Sequence, residues 1–163
     1  MSSKPSIVIV PGAWHSAAAY DKLATALRSL GHETTTIDLP TFSIRDPPVL
    51  THRADVDLIH QHLGRLVNQE HKQVIIIAHS YGGVPASDSV KGFEKLPDRH
   101  HGVIGVVFLA AFLAEVGESL SDVSDPNAPK DLPAPELGAD GQYPTMKGEN
   151  GLELRLIVSR TSC

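Results

Sequence analysis

The sequence predicts an α/β domain built on a parallel sheet. Short apolar runs rich in β-branched residues stand at 7–10, 74–77 and 103–109. They have strand length and no polar face, the pattern of strands buried on both sides. Segments of helical periodicity separate them, so the order is strand, helix, strand, helix, strand, helix, strand. That alternation places helices on both faces of a parallel sheet.

Ile7-Val8-Ile9-Val10 is closed by Pro11-Gly12 and reads as the first, buried strand. Tyr20, Leu23, Ala24, Leu27 and Leu30 then recur at helical spacing, with Gly31 as the stop. Thr34-Thr35-Thr36-Ile37 reads as a second strand ending at Asp38-Leu39-Pro40. Residues 41–50 contain Pro47-Pro48 and read as a loop. A second helix begins near Thr51, with Val56, Ile59, Leu63 and Leu66 as its apolar face. Residues 74–77 form the third strand, 82–93 a third helix and 103–109 the fourth strand. From Gly117 to Gly151 the chain is rich in Pro, Gly, Asp and Ser and reads as a loop, a mobile lid or disordered. The tail, 152–158, reads as one further strand.

The chain has 163 residues, 41% hydrophobic and 20% charged, with a net charge of −5. That length favours one domain and lets it bury roughly 70% of its unfolded surface. No basic stripe is visible, which argues against nucleic acid as a partner. The first apolar run is too short for a signal-peptide core or a membrane span. Cys163 is the only cysteine, so no internal disulfide can form. Both points fit a cytoplasmic protein.

The strongest chemical signal is Ala78-His79-Ser80-Tyr81-Gly82-Gly83, directly after the third strand. A serine at a sharp strand-to-helix turn holds its hydroxyl out of a strained backbone. The residues two before and two after it must be small, because strand and helix pass close there. Gly82 and Ala78 meet this. The following helix is expected to aim its N-terminal amides at the site. A plain tight turn with a chance serine is the competing reading.

The second signal is Pro11-Gly12-Ala13-Trp14-His15, directly after the first strand. Parallel topology places this loop beside Ser80 at the carboxyl edge of the sheet. An oxyanion hole needs one amide from the residue after the nucleophile and one from such a loop. The candidates are the N–H of Tyr81 with that of Ala13 or Trp14.

These segments, with Asp38-Leu39-Pro40 and Phe108-Leu109-Ala110-Ala111-Phe112-Leu113, resemble the α/β-hydrolase superfamily. The similarity is to small fungal and bacterial hydrolases of the AB hydrolase-1 type, with plant methyl esterases and hydroxynitrile lyases as relatives. It covers about residues 6–120. Pro11 stands where many relatives carry histidine. The resemblance implies that Ser80 is the nucleophile, that a cap covers the site, and that a triad acid and then a histidine follow on later loops. Residues after His101 contain no histidine. The chain therefore reads as the front part of such a hydrolase, C-terminally truncated. Residues 1–114 form the core, and 115–163 a partial cap or disordered tail.

Without a base, a serine hydroxyl is a weak nucleophile. Among nine histidines, His15 is the candidate local base, with pocket lining as its other role. His79 flanks the serine and is expected to be structural, its ring turned from the hydroxyl. His60 and His62 face different sides of a helix. His100-His101 beside Asp98 is a poor zinc signature. His32, His52 and His71 read as surface residues. Glu115 and Glu118 follow the fourth strand but have no late histidine to orient. Asp38 reads as fixing a turn, and Trp14 and Tyr81 as pocket lining or core. No phosphate-binding glycine motif is present, so no cofactor and no metal are expected.

Two functions follow. One is a serine, esterase-like hydrolase acting on a small, fairly apolar substrate through Ser80. The other is an impaired or non-catalytic member that binds a ligand or partner. A related lyase reaction would need the same missing histidine. The fourth strand would also expose an apolar edge, to be covered by residues 154–158 or by a second subunit in a homo-oligomer.

Overall fold

A computed structural model describes residues 4–42, 51–113 and 156–159. Strands β1 (Ser6–Val10), β2 (Thr34–Thr36), β3 (Gln73–His79), β4 (Gly102–Leu109) and β5 (Leu156–Ser159) form one sheet in the order β2-β1-β3-β4-β5. The first four are parallel and β5 runs antiparallel to β4. Helices α1 (Asp21–Ser29), α2 (His52–Leu63) and α3 (Gly83–Ser89) connect them. The chain leaves β1 toward one edge and returns through β3 toward the other. The carboxyl ends of β1 and β3 therefore flank a topological switch point, where open α/β sheets place their sites.

Ile9 and Ile7 pack with Ala24 and Tyr20 on the α1 face of the sheet. Val8, Val10, Val74, Ile76 and Ala78 pack with Ile59, Leu63 and Ala86 on the face covered by α2 and α3. This explains the unbroken apolar run of β1, which is buried on both sides. Ile75 and Ile77 of β3 are only half-buried.

Some boundaries differ from expectation. The apolar face of α2 continues through a π-helical turn at Gly64–Gln69, which buries the adjacent Leu66 and Val67 together. The third helix is shorter than 82–93. A 3₁₀ turn at Ser80–Gly82 precedes it, and it ends at Ser89. Gly92 then takes φ 89°, and Phe93 leaves the helix to exchange backbone bonds with β4: Val103 N–H donates to Phe93 O at 2.7 Å. Ile104 is the extra residue of a bulge opposite Val74 and Ile75.

The outer edge of β4 pairs with β5, with Val107 opposite Val158. This is the first of the two coverings expected for that edge. Glu115, Glu118 and the segment expected as loop or cap lie outside the described residues. Among the described residues, no helix is long and apolar enough to cross a membrane.

Ile59 is fully buried between α2 and the sheet. Ile59→Ala is expected to destabilise the fold by about 2–4 kcal/mol through lost burial and a residual cavity, read as a lower urea midpoint with unchanged slope.

Candidate functional site

The register of β1 against β3 puts Val10 opposite Ala78. The loop after β1 therefore meets the turn after β3. Ser80 takes φ 51°, a left-handed conformation that costs an L-residue roughly 1–2 kcal/mol. Close packing holds it there. A Cβ at Gly82 would lie 2.4 Å from the Pro11 carbonyl oxygen and 2.7 Å from that of Val10. A Cβ at Gly12 would lie 3.0 Å from Ser80 Cβ and 2.8 Å from His79 Nδ1. On the other side, Ser80 O accepts the Phe112 N–H at 3.1 Å, and the Phe112 carbonyl leaves no room for a side chain at Gly83. Both glycines of the motif are thus steric requirements.

The Gly12–His15 turn is closed by the His15 N–H donating to Gly12 O at 3.3 Å, with Trp14 at φ 61°. A positive φ at the third position is the type II pattern. His15 Nδ1 lies 2.8 Å from the Ala13 carbonyl. The carbonyl can only accept, so that nitrogen carries the proton and Nε2 of neutral His15 keeps a basic lone pair. The bond also fixes the Ala13–Trp14 peptide plane, whose N–H points opposite its C=O.

Tyr20 anchors this loop from the α1 face. Its hydroxyl accepts the Gly12 N–H at 3.0 Å and lies 2.7 Å from His79 Nδ1. The hydroxyl therefore links the Gly12 loop to the His79 ring. Burial, and then the charge of His15, lowers the His79 pKa below its ordinary 6.5. Burial raises that of Tyr20, against the Gly12 amide. The His15 and His79 rings are nearly perpendicular, 5.7 Å apart. His79 is therefore structural, as its position beside the serine suggested.

A second support comes from α2. Asp55 is 0% exposed. Its Oδ1 accepts the Thr41 N–H at 3.0 Å, and its Oδ2 accepts Thr41 Oγ1 at 2.7 Å and Tyr81 Oη at 2.8 Å. Burying an unpaired carboxylate costs several kcal/mol, on the order of a large fraction of total stability, and these bonds offset that cost. Burial, and next Asp55, hold the Tyr81 phenol far above its usual pKa, while Thr41 acts weakly the other way. Phe42 stands edge-on to Tyr81 at 5.1 Å and to Trp14 at 6.0 Å.

The expected site residues Ala13, Trp14, His15, Ser80 and Tyr81 are thus brought to one sheet edge. The ring of His15 bonds Ala13 and that of His79 bonds Tyr20, not Ser80. The 3₁₀ turn at Ser80–Gly82 runs directly into the seven-residue α3, so the helical stretch begins at Ser80 itself. Asp38 fixes a turn, accepting the Ala17 N–H at 2.6 Å. His71 and His101 have rings 4.8 Å apart, before β3 and β4 at the opposite end of the sheet. Among the described residues, no group of three or more His, Cys, Asp or Glu could hold a metal. No motif in the sequence marks Tyr20, Thr41 or Asp55 as a site residue. Asp55 does carry a signal: it stands four residues before Ile59, on the apolar stripe of α2.

Two stability outcomes follow. Ser80→Gly relieves the left-handed strain, so it is expected to exceed Ser80→Ala in unfolding free energy by roughly 1 kcal/mol. The lowered His79 pKa means that the unfolded chain takes up this proton first. Its stabilising effect is full above about pH 6.5 and is lost as the pH falls toward the folded value. His62, lowered by burial and Arg65, acts in the same direction. His79→Gln is expected to flatten part of the fall in melting temperature between about pH 7 and pH 5.

Comparison with known proteins shows the family of the fold. The family model described as "Alpha/beta hydrolase family" matches residues 7–157. "Alpha/beta hydrolase nvfD" of Aspergillus novofumigatus is 31% identical over 133 residues, covering 80% of this chain and 52% of that protein. "Carbendazim hydrolyzing esterase" of a Nocardioides species is 34% identical over 143 residues, covering 82% and 51%. Tomato Methylketone Synthase I, solved as its H243A variant with beta-ketoheptanoate, superposes with a TM-score of 0.59 at 22% identity, covering 74% of this chain and 45% of that one. The chain spans about half the length of the curated relatives it matches. From the profile match and the shared fold, the chain belongs to the alpha/beta hydrolase family.

Proposed function

We propose that this chain carries the nucleophile and oxyanion machinery of a serine esterase acting on small, fairly apolar molecules. The observation that supports it most is Ser80 in a left-handed conformation at the end of β3, wedged between glycines that admit no side chain. Strain of that kind is kept at functional sites. The relatives named as esterases support the reaction class.

In this reading, Ser80 Oγ attacks the ester carbonyl carbon and gives its proton to a base. The carbonyl oxygen takes the negative charge and is met by the N–H of Tyr81 and that of Ala13 or Trp14. Collapse breaks the ester C–O bond, the base returns its proton to the departing alcohol, and the acyl group left on Ser80 is removed by water, whose proton passes through the base to Ser80 Oγ. His15 has the right chemical form for the base, because Ala13 holds its Nδ1 proton and Nε2 is left basic. The chemistry uses amides and side chains only, and so calls for no cofactor. Trp14 and Phe112, both partly exposed beside the serine turn, supply apolar surface for a small substrate.

One observation favours a second reading. The ring bonds of His15 and His79 run to Ala13 and Tyr20 rather than to the Ser80 hydroxyl. A chain whose serine lacks a base would bind, or acylate once, without turnover.

A fluorophosphonate probe decides the first point. Wild type is expected to label with one adduct on Ser80, and Ser80→Ala is expected to lose it; unlabelled wild type would sink the proposal. Hydrolysis of p-nitrophenyl acetate separates the two readings. Continuous turnover that falls at least about a hundredfold in Ser80→Ala supports the esterase. A single stoichiometric burst supports the impaired member.

A further inference from the structure

We propose that Asp55 is a positioning residue for the oxyanion site, a role that rests on the reading of Ser80 and Tyr81 above. Asp55 lies on α2, and its side chain does not cap its own helix. All three of its bonds leave the helix, one to Tyr81, next to Ser80, and two to the turn whose Phe42 touches Tyr81. The bond from Tyr81 Oη restrains the residue whose backbone N–H follows the nucleophile directly. The two bonds from Thr41 restrain the 3₁₀ turn Pro40–Phe42. That turn presents the Phe42 ring to Tyr81 on one side and to Trp14 on the other. One buried carboxylate therefore touches the Tyr81 side of the oxyanion site directly and braces the Ala13–Trp14 side through a single aromatic ring.

The arrangement is rigid in the way that such a role demands. The carboxylate has no exposure to water, and both of its oxygens are engaged. A phenol tied to a fixed acceptor cannot rotate freely, so the Tyr81 backbone is held at both ends: by the elbow and by its own side chain. Preorganised donors stabilise a developing oxyanion without reorganising during the reaction. Losing this tether should slow bond formation at Ser80 and leave ligand binding alone.

The test follows fluorophosphonate labelling of the full chain as kinact and KI, with melting curves to confirm folding. Asp55→Ala and Tyr81→Phe are each expected to lower kinact by about tenfold with KI unchanged, and the double variant to be no slower than the slower single one. Asp55→Asn can still accept the Thr41 N–H and bond Tyr81 Oη through its amide, so it is expected to stay within about threefold of wild type. Should Asp55→Ala fail to fold, Thr41→Val and Tyr81→Phe remove its side-chain partners singly and carry the same comparison. An unchanged kinact in Asp55→Ala, additive losses, or an Asn variant as slow as the folded Ala variant would overturn the role. Unlabelled wild type instead refutes the Ser80 reading. In that case, amide hydrogen exchange at Tyr81 decides: faster exchange in Asp55→Ala upholds the tether, and unchanged exchange overturns it.

Discussion

At the switch point of the sheet, two backbone segments come closer than any side chain would allow. Gly82 faces the carbonyl oxygens of Val10 and Pro11, and Gly12 faces His79 and Ser80. Everything distinctive about the site depends on that contact. It obliges β1 and β3 to be neighbours in a fixed register, with Val10 against Ala78. It keeps Ser80 in a conformation that it would leave if the loop after β1 moved away. It also places the Gly12–His15 turn beside the serine.

Two polar pins add to this close packing, one from each face of the sheet. Tyr20, packed on the α1 face, joins Gly12 to His79 and so ties the two loops together. Asp55, from α2 on the opposite face, ties Tyr81 to the 3₁₀ turn after β2. The pins differ in kind. Tyr20 is a neutral hydroxyl that accepts the Gly12 N–H and pairs with His79, whose pKa burial lowers. Asp55 is an acceptor, and its surroundings supply only donors.

Family membership places these features in a wider pattern without exhausting them. The profile match runs from the first strand to residue 157, and the solved neighbours share the fold at modest identity. The chain spans about half of its relatives' length. Within that span it holds the Ser80 turn and the loop beside it. The acid and histidine that the resemblance implies belong after later strands. The structure adds the fixed tautomer of His15, which gives one nearby imidazole a basic nitrogen.

Local sequence carries a large share of this. Ile7 to Val10 reads as a strand buried on both faces, because the run is short, apolar, β-branched and closed by Pro11-Gly12. The helical stripe from Val56 to Leu66 is equally plain. The Ser80 turn is legible because small residues at fixed offsets are what a close strand-to-helix crossing requires. The helix after it is shorter than its sequence suggests, since local propensity does not register the Gly92 turn and the docking of Phe93 onto β4. Tyr20 and Asp55 are legible only as a helix-face aromatic and a misplaced acid. Their partners stand 8 and 59, and 14 and 26, residues away in the chain. The sequence by itself determined the layered architecture and the place of the serine, since periodicity and glycine offsets are local properties. Only the tertiary structure decided which buried groups hold the site in shape, because a hydrogen bond across the sheet exists only once the strands have been brought together.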